Sequence, residues 1–263
     1  MHVVFEVFVA KFIIQFTLLL CLSFYFVELY ANEAPKKINC ATSKFSPYAF
    51  GEGKQLKGIE IDIFSELENR TGINIDINIM PFKRMLANSR LGEVDCVFSI
   101  FKTEERMKYL HFTSVPIHTS TLTIYAHRDN DFESILDLQG KNFGTVRGFV
   151  TPPEFKQAAD LQLLKKSEVT HIQQVFRMLS KQRFDATIVD KNTGDYQLKK
   201  LNITNVISQE LLMASTPAYI AFAKSKNTQS LVSIFNEALA GMIADGTYEQ
   251  IFNKHAYIQH NNY

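Results

Sequence analysis

Two periods of apolar residues recur along the chain and predict an alternation of strands and helices. Residues 73–79 alternate strictly between apolar and polar side chains, which is typical of a half-buried strand. Ile59, Ile63 and Leu67 recur at the spacing of one helix face, and Gly72 suits the end of that helix. Comparable patterns predict strands at 38–42, 96–101, 119–126, 142–146, 161–166 and 185–190, and helices at 81–91, 152–159 and 175–181. This order predicts an α/β fold with parallel strands and helices on both faces.

The strand and helix pattern forms two sets, which predict two Rossmann-like α/β lobes. After the second set, the last part of the chain carries a strand at 219–223 and helical patterns to residue 252. If this tail packs on the first unit, the chain crosses between the units twice and forms a two-strand hinge. We therefore expect a discontinuous lobe 1 at 36–125 and 219–263, and a lobe 2 at 126–218.

The first 31 residues differ from the rest and predict a signal peptide. Residues 12–27 are almost wholly apolar, a length that suits a secretory leader and is short for a membrane-spanning helix. Cleavage after Ala31, or alternatively after Ala34, would export the protein to the periplasm. Because Glu6 offsets Lys11 ahead of the apolar run, an uncleaved membrane anchor stays open as the alternative.

Composition narrows the classes of function. The 263 residues carry a formal net charge of +1 without a long run of one sign, which argues against a nucleic-acid partner. Cys40 and Cys96 would remain after cleavage, and they permit one disulfide in an oxidising compartment. Both lie in predicted core strands, so buried free thiols are the favoured interpretation. The histidines and cysteines lack metal-site spacing, and we expect neither a metal nor a cofactor.

The segment 95–106 contains the most specific candidate site. An apolar run leads into Thr103, a residue suited to begin a helix, and this places Arg106 in the first helical turn. A cation there opposes the helix dipole, so another group should compensate it. A guanidinium at the carboxyl end of a strand can receive a carboxylate or another small anion. The alternative is a surface arginine paired with Glu104 or Glu105.

Five ordered segments resemble one known family. They are Gly58-Ile-Glu-Ile-Asp-Ile-Phe, Gly92-Glu-Val-Asp95, Thr103-Glu-Glu-Arg106 with Leu110-His-Phe-Thr113, Phe184-Asp-Ala-Thr-Ile-Val-Asp190, and Asp245-Gly-Thr-Tyr248. Over residues 38–258 the chain resembles the polar amino-acid-type periplasmic solute-binding proteins, the extracellular family 3 receptors of ABC transporters. The resemblance implies a clamshell of two α/β lobes that closes on a ligand in the cleft.

The resemblance also implies roles for particular residues. Arg106 matches the residue that clamps the ligand α-carboxylate, and Ser99 matches a polar contact on the same lobe. Asp190 matches the second-lobe carboxylate that holds the α-ammonium group. Phe45 and Phe82 fall where ring side chains sandwich the ligand. Opposite charges between aromatic walls complement a zwitterion.

Two positions depart from the family pattern. Phe101 stands where many members have a small hydroxyl residue, and Gly148-Phe149-Val150 replaces a common Gly-Thr-Thr. The backbone N–H of Val150 and the hydroxyl of Thr151 could still bind a ligand carboxylate. We expect either a pocket that is more apolar than usual or a ligand that is not an ordinary amino acid.

The leading hypothesis is a monomeric periplasmic receptor that captures a small polar, carboxylate-bearing solute for an inner-membrane ABC permease, without catalytic residues. A second hypothesis is a ligand-sensing module for signalling, tethered to the membrane through residues 12–27. A lower-ranked third is a lyase or dehydratase acting on a cyclic acid, with Asp190 or Glu105 as general acid.

Overall fold

The structure is a computed structural model that describes residues 37–52, 55–133, 135–150 and 152–260. Its strands are β1 Lys37–Thr42, β2 Phe50–Glu52, β3 Gln55–Lys57, β4 Asn74–Ile79, β5 Cys96–Phe101, β6 Leu110–Phe112, β7 His118–His127, β8 Asn142–Val146, β9 Lys165–Val169, β10 Ala186–Asp190 and β11 Val206–Ala223. Its α-helices are α1 Ile59–Thr71, α2 Phe82–Leu91, α3 Glu104–Met107, α4 Pro153–Asp160, α5 Ile172–Ser180, α6 Lys191–Lys200, α7 Gln229–Ala244 and α8 Thr247–His260. Short 3-10 turns lie at Ile135–Leu138 and Lys224–Lys226.

One mixed sheet organises the described chain, in the order β4-β1-β5-β11-β7-β10-β8-β9, with β6 also paired to β11. The outer strands are parallel, since β1 pairs in parallel with β4 and β5, and β8 pairs in parallel with β9 and β10. The central pairs are antiparallel, since β7 runs opposite to β10 and β11 runs opposite to both β5 and β7. The α/β class is confirmed, and the predicted parallel pairing holds only for the outer groups.

Strands β7 and β11 belong to both groups of strands. The first part of β11 pairs with β7, and its end pairs with β5 and β6. The carboxyl half of β7 pairs with β10. We call β1–β6 with α1–α3 the first half and β8–β10 with α4–α6 the second half. The exact lobe boundaries, 36–125 with 219–263 and 126–218, stay a prediction.

The strongest sequence periods form the predicted elements. In α1, Ile59, Ile63 and Leu67 are all buried, and Gly72 ends the helix in a left-handed conformation with φ 69°. One other segment differs. The strand predicted at 161–166 begins only at Lys165, because the turn that ends α4 occupies the preceding residues.

The prediction of free thiols is wrong, because Cys40 and Cys96 form a disulfide. They lie on neighbouring parallel strands and are directly opposite each other in the register. Their Cα atoms are 4.5 Å apart, within the range that a disulfide bridges. Their pairing follows from the register of β1 and β5, which the sequence spacing does not reveal.

The predicted signal peptide lies outside the described residues. Within the ranges that the structure describes, no helix combines the length and apolar character required to cross a membrane.

Candidate ligand-binding cleft

A cleft of about 550 Å³, including its open mouth, contains side chains from both halves of the molecule. Its lining is Ser43, Phe45, Phe82, Ser99, Phe101, Arg106, His118, Ser120, Leu122, Phe149, Val150, Ile188, Val189, Asp190 and Ala218. Several of these residues lie at or just beyond the carboxyl ends of β1, β5, β8 and β10. This is the edge of an α/β sheet where ligands commonly bind.

The cleft brings together most of the residues that the sequence singled out. They are Phe45, Phe82, Ser99, Phe101, Arg106, Val150 and Asp190. Thr151 lies outside the described residues. Shared lining establishes that these side chains are neighbours of one cavity, while their contacts to a ligand stay predictions.

Arg106 is buried at the start of α3, with 5% of its surface exposed. The hydroxyl of Thr103 accepts a hydrogen bond from the Arg106 backbone N–H at 3.2 Å, as expected of a residue that caps a helix. In the side chain, Nη1 donates to the carbonyl of Phe101 at 2.7 Å, and Nη2 donates to the carbonyl of Gly148 at 3.2 Å. The second bond joins the two halves across the cleft.

The guanidinium of Arg106 has only neutral partners among the described residues. No described carboxylate lies within the 4.0 Å that defines an ion pair, so the alternative pairing with Glu104 or Glu105 is not observed there. The ring centroid of Phe82 lies 5.4 Å from Cζ, a cation–π distance. Burial lowers the pKa of Arg106. Because a guanidinium carries five N–H groups, donor capacity remains for a ligand.

Asp190 is the buried acid of the opposite wall, at the end of β10, and 1% of its surface is exposed. Oδ1 accepts from the backbone N–H of Thr193 at 2.9 Å, so Asp190 also caps α6. Oδ2 accepts from the hydroxyl of Tyr48 at 3.3 Å, and that hydroxyl accepts from Asn192 at 3.2 Å. Burial raises the pKa of the Asp190 carboxyl and of the Tyr48 hydroxyl. Asp190 therefore has two fixed donors and lone pairs left over.

Ser99 adopts a strained backbone conformation in the cleft. Its φ of 63° lies in the left-handed region, which is uncommon for a residue other than glycine. Its hydroxyl is buried and has no hydrogen-bond partner among the described residues. Strained residues and unpaired polar atoms are concentrated at binding sites, so both observations favour a ligand contact here.

Aromatic rings form the apolar wall of the cleft. The Phe149 ring meets Phe82 edge-on at 4.9 Å and Phe45 edge-on at 5.9 Å between centroids. Phe45 also stacks on Tyr48 at 5.6 Å. Phe149 belongs to the second half, and the other rings belong to the first, so these contacts join the halves. Such a wall excludes water and strengthens charge interactions inside the cleft.

The sequence did not reveal a buried polar group at the cleft, formed by the lining residues His118 and Ser120 and by Glu60 behind them. Nδ1 of His118 lies 2.9 Å from Oε1 of Glu60, and Nε2 lies 3.1 Å from Oγ of Ser120. Tyr48 stacks on the imidazole at 4.0 Å. Glu60 and His118 are 58 positions apart in sequence, and no local spacing signals their contact.

The described residues contain no cluster of three or more histidine, cysteine, aspartate or glutamate side chains that could hold a metal ion. The described lining of the cleft combines hydrogen-bonding groups with the buried cation Arg106 and the buried carboxylate Asp190. Such an arrangement can bind and orient a small solute that carries complementary charges.

Comparison with known proteins places this architecture among the periplasmic-binding-protein-like folds. The chain is similar to an ancestral arginine-binding protein bound to arginine, with a TM-score of 0.76, 26% identity, and coverage of 84% of this chain and 99% of that one. It shares the fold of a histidine kinase sensor domain with similarity to periplasmic binding proteins, at a TM-score of 0.76, 20% identity, and coverage of 85% and 97%.

Sequence comparison identifies the family. The family model for bacterial extracellular solute-binding proteins, family 3, matches residues 38–257, and the chain belongs to this family. It is 25% identical over 227 residues to the arginine-binding extracellular protein ArtP of Bacillus subtilis (strain 168), which covers 85% of this chain and 88% of that protein. The predicted resemblance is confirmed, and family membership supports a ligand-binding receptor.

Proposed function

We propose that this protein is a periplasmic receptor that captures a small amino-acid-like carboxylate in its cleft and delivers it to an inner-membrane ABC permease. The observation that carries this proposal is the buried guanidinium of Arg106, which has neutral carbonyl partners and no carboxylate partner among the described residues. A buried cation without a counter-charge is costly, and a ligand carboxylate would supply that charge.

The opposite wall supports a zwitterionic ligand. Asp190 is buried in the same cleft, and its two observed donors are a backbone N–H and a phenol. A ligand α-ammonium group would be its counter-ion, while Arg106 binds the α-carboxylate. The aromatic rings between the charges restrict water, so both ion pairs gain strength relative to a surface site.

Export to the periplasm is supported by the cysteine chemistry. Disulfides persist in oxidising compartments and are rare in the cytosol, and Cys40 and Cys96 form one inside the first half. The apolar leader at 12–27 supplies the export signal in this proposal. Membership in the family of extracellular solute-binding proteins supports the step of delivery to a transporter.

The proposal is tested by a thermal-shift screen of the purified mature protein against amino acids and small organic acids, followed by calorimetry on each hit. We expect at least one amino-acid-like carboxylate to raise the melting temperature. Arg106→Ala should weaken that hit by about 2–5 kcal/mol, because it removes one side of a buried charge pair.

Arg177→Ala is the matched control, since Arg177 is an exposed residue of α5 outside the cleft lining. It should leave affinity unchanged. Equal affinities of the wild type and Arg106→Ala would contradict the carboxylate-clamp proposal.

A second candidate function is signalling, favoured by the fold shared with a histidine kinase sensor domain. In this case residues 12–27 stay in place as a tether. The mass of the intact protein isolated from cells separates the two proposals: loss of the leader supports a free receptor, and a retained leader supports the tethered sensor.

A further inference from the structure

We infer that the cleft selects ligands with a neutral, apolar side group and rejects cationic side chains such as those of arginine and lysine. This inference rests on the proposed function and specifies its substrate class. It differs from a simple transfer of the ligand of relatives such as ArtP, which is named as arginine-binding.

The first argument is the balance of charge inside the cleft. Among the described lining residues, Arg106 is the cation and Asp190 the carboxylate, with His118 as a further titratable group. The α-carboxylate and α-ammonium groups of a ligand neutralise Arg106 and Asp190. A guanidinium or a second ammonium on the ligand would then be buried without a described carboxylate to pair with it. An unpaired buried cation is strongly disfavoured.

The second argument concerns Glu60, the buried carboxylate behind the cleft. It is fully buried and does not belong to the cleft lining. Its Oε1 lies 2.9 Å from Nδ1 of His118, so this oxygen is already paired with the imidazole of a lining residue. The other nitrogen of that ring contacts the hydroxyl of Ser120, a lining residue that carries no charge. The other oxygen of Glu60, Oε2, has no hydrogen-bond partner among the described residues, but Glu60 does not line the cleft and therefore does not meet a ligand cation there.

The third argument is the charge at the mouth. An adjoining groove shares Phe82 with the cleft and is also lined by Lys83, Arg84 and Arg147. All three basic side chains are exposed, and Glu168 lies 3.8 Å from Arg147. A cationic side chain that extended outward would meet like charges at this rim, and like-charge contacts suppress the wrong ligands.

The remaining lining favours an apolar side group. The cavity is lined by apolar side chains that include Phe45, Phe149, Leu122 and Ile188. Apart from Arg106, Asp190 and His118, the described polar lining residues are serines. Apolar ligand atoms increase the affinity because their surface and that of the wall are both removed from water on binding. The expected difference in affinity between neutral and cationic ligands therefore has two sources: the apolar contact with the wall and the cost of burying an unpaired charge.

Matched ligand pairs provide the test by calorimetry at pH 7. L-Norleucine and L-lysine differ by a terminal ammonium, and L-citrulline and L-arginine differ by the charge of a similar planar group. We expect the neutral member of each pair to bind at least about tenfold more tightly. Tighter binding of L-lysine or L-arginine would overturn the charge selectivity while leaving the receptor function intact. Failure of all four to bind would instead contradict the amino-acid class of the proposed function.

A variant pair tests the cause of the selectivity. Val150 is 40% exposed and lines the cleft, so it tolerates a polar side chain better than the buried wall residues do. Val150→Asp should narrow the ratio of norleucine to lysine affinity by about tenfold relative to Val150→Asn, which has a similar shape and no charge. The same ratio in both folded variants would show that a missing counter-charge does not set the selectivity.

Discussion

The two halves of the molecule hold their cleft charges by different means. Arg106 follows β5, a strand joined covalently to β1 by the Cys40–Cys96 disulfide, and within the described part of the chain its guanidinium donates to carbonyl oxygens alone. Asp190 is the last residue of β10, and two hydrogen-bond donors fix its carboxylate. The cation thus relies on a cross-linked strand, whereas the anion relies on a helix cap and a phenol from the opposite half.

The contacts between the halves can be distinguished from the covalent bond that lies within one half. The Tyr48–Asp190 bond and the Arg106–Gly148 bond both cross the cleft, so each charged residue makes one contact between the two halves. The disulfide does not cross the cleft, because both of its cysteines belong to the first half. Removing the disulfide should therefore affect stability, and altering the charges should affect ligand affinity.

Replacing both disulfide cysteines should have the largest effect on stability. We expect the variant Cys40→Ala/Cys96→Ala to lose about 2–5 kcal/mol of unfolding free energy, because the unfolded chain regains the freedom of the loop between them. Urea denaturation of the variant and of the oxidised wild type measures this difference. Wild type unfolded in the presence of a reductant is the control, and it should resemble the variant. An unchanged urea midpoint would show that the disulfide does not stabilise the folded protein.

Neutralising the anion should have the next largest effect, on affinity. Asp190→Asn should weaken a zwitterionic hit by about 1.5–3 kcal/mol at pH 7, because it removes a charge-assisted hydrogen bond. Burial raises the pKa of Asp190, so the carboxylate becomes protonated at a higher pH than an exposed aspartate does. Wild-type affinity should therefore fall as pH is lowered through this raised pKa.

Calorimetry across an acid pH series measures this dependence. In Asp190→Asn the pH dependence due to residue 190 is absent. The difference between the two proteins therefore isolates the contribution of Asp190 from that of other ionisable groups nearby, such as His118 and Glu60. Identical pH profiles of the two proteins would contradict the role of Asp190 as the ammonium partner.

Removing the Tyr48 hydroxyl should have the smallest effect. Tyr48→Phe retains the ring that stacks on His118 and loses the bond to Asp190, so we expect affinity to fall by about 1 kcal/mol. Tyr248→Phe is the matched control, since its hydroxyl bonds to the carbonyl of Ile117 outside the cleft lining. Equal changes in ligand dissociation constant for both variants would exclude a specific role of Tyr48.

The features that the sequence revealed are those with local signals. The apolar period of α1, the alternation of β4 and the capping residue Thr103 each act within a few positions of the chain. The positions of Arg106 and Asp190 followed from strand ends, which the topology of an α/β sheet brings to one edge. The family resemblance then related the two charges to each other.

Helix α6 was missed because its buried side chains are polar or absent. Thr193, Gly194 and Gln197 face the interior, so no apolar period exists. Gly194 is necessary because Tyr125 occupies the space that a Cβ atom would fill. The hydroxyl of that tyrosine bonds to Asp195, a contact that becomes visible only when β7 and the helix are placed together.

The other omissions are contacts between distant positions. The disulfide depends on the register of β1 against β5, and the Glu60–His118 contact depends on how α1 packs near the start of β7. Strand β11 extends over 18 residues, and the sequence predicted only its end, at 219–223. Long-range pairing sets all three, and local composition does not encode it.

The most direct test of the clamp is a double cycle between Arg106 and the ligand carboxylate. The best amino-acid hit and its α-carboxamide are each titrated by calorimetry into the wild type and into Arg106→Ala. We predict that the wild type binds the carboxylate form about 2–5 kcal/mol more tightly than the amide, and that Arg106→Ala barely distinguishes the two. The same preference for the carboxylate in both proteins would contradict the assignment of Arg106 as its partner.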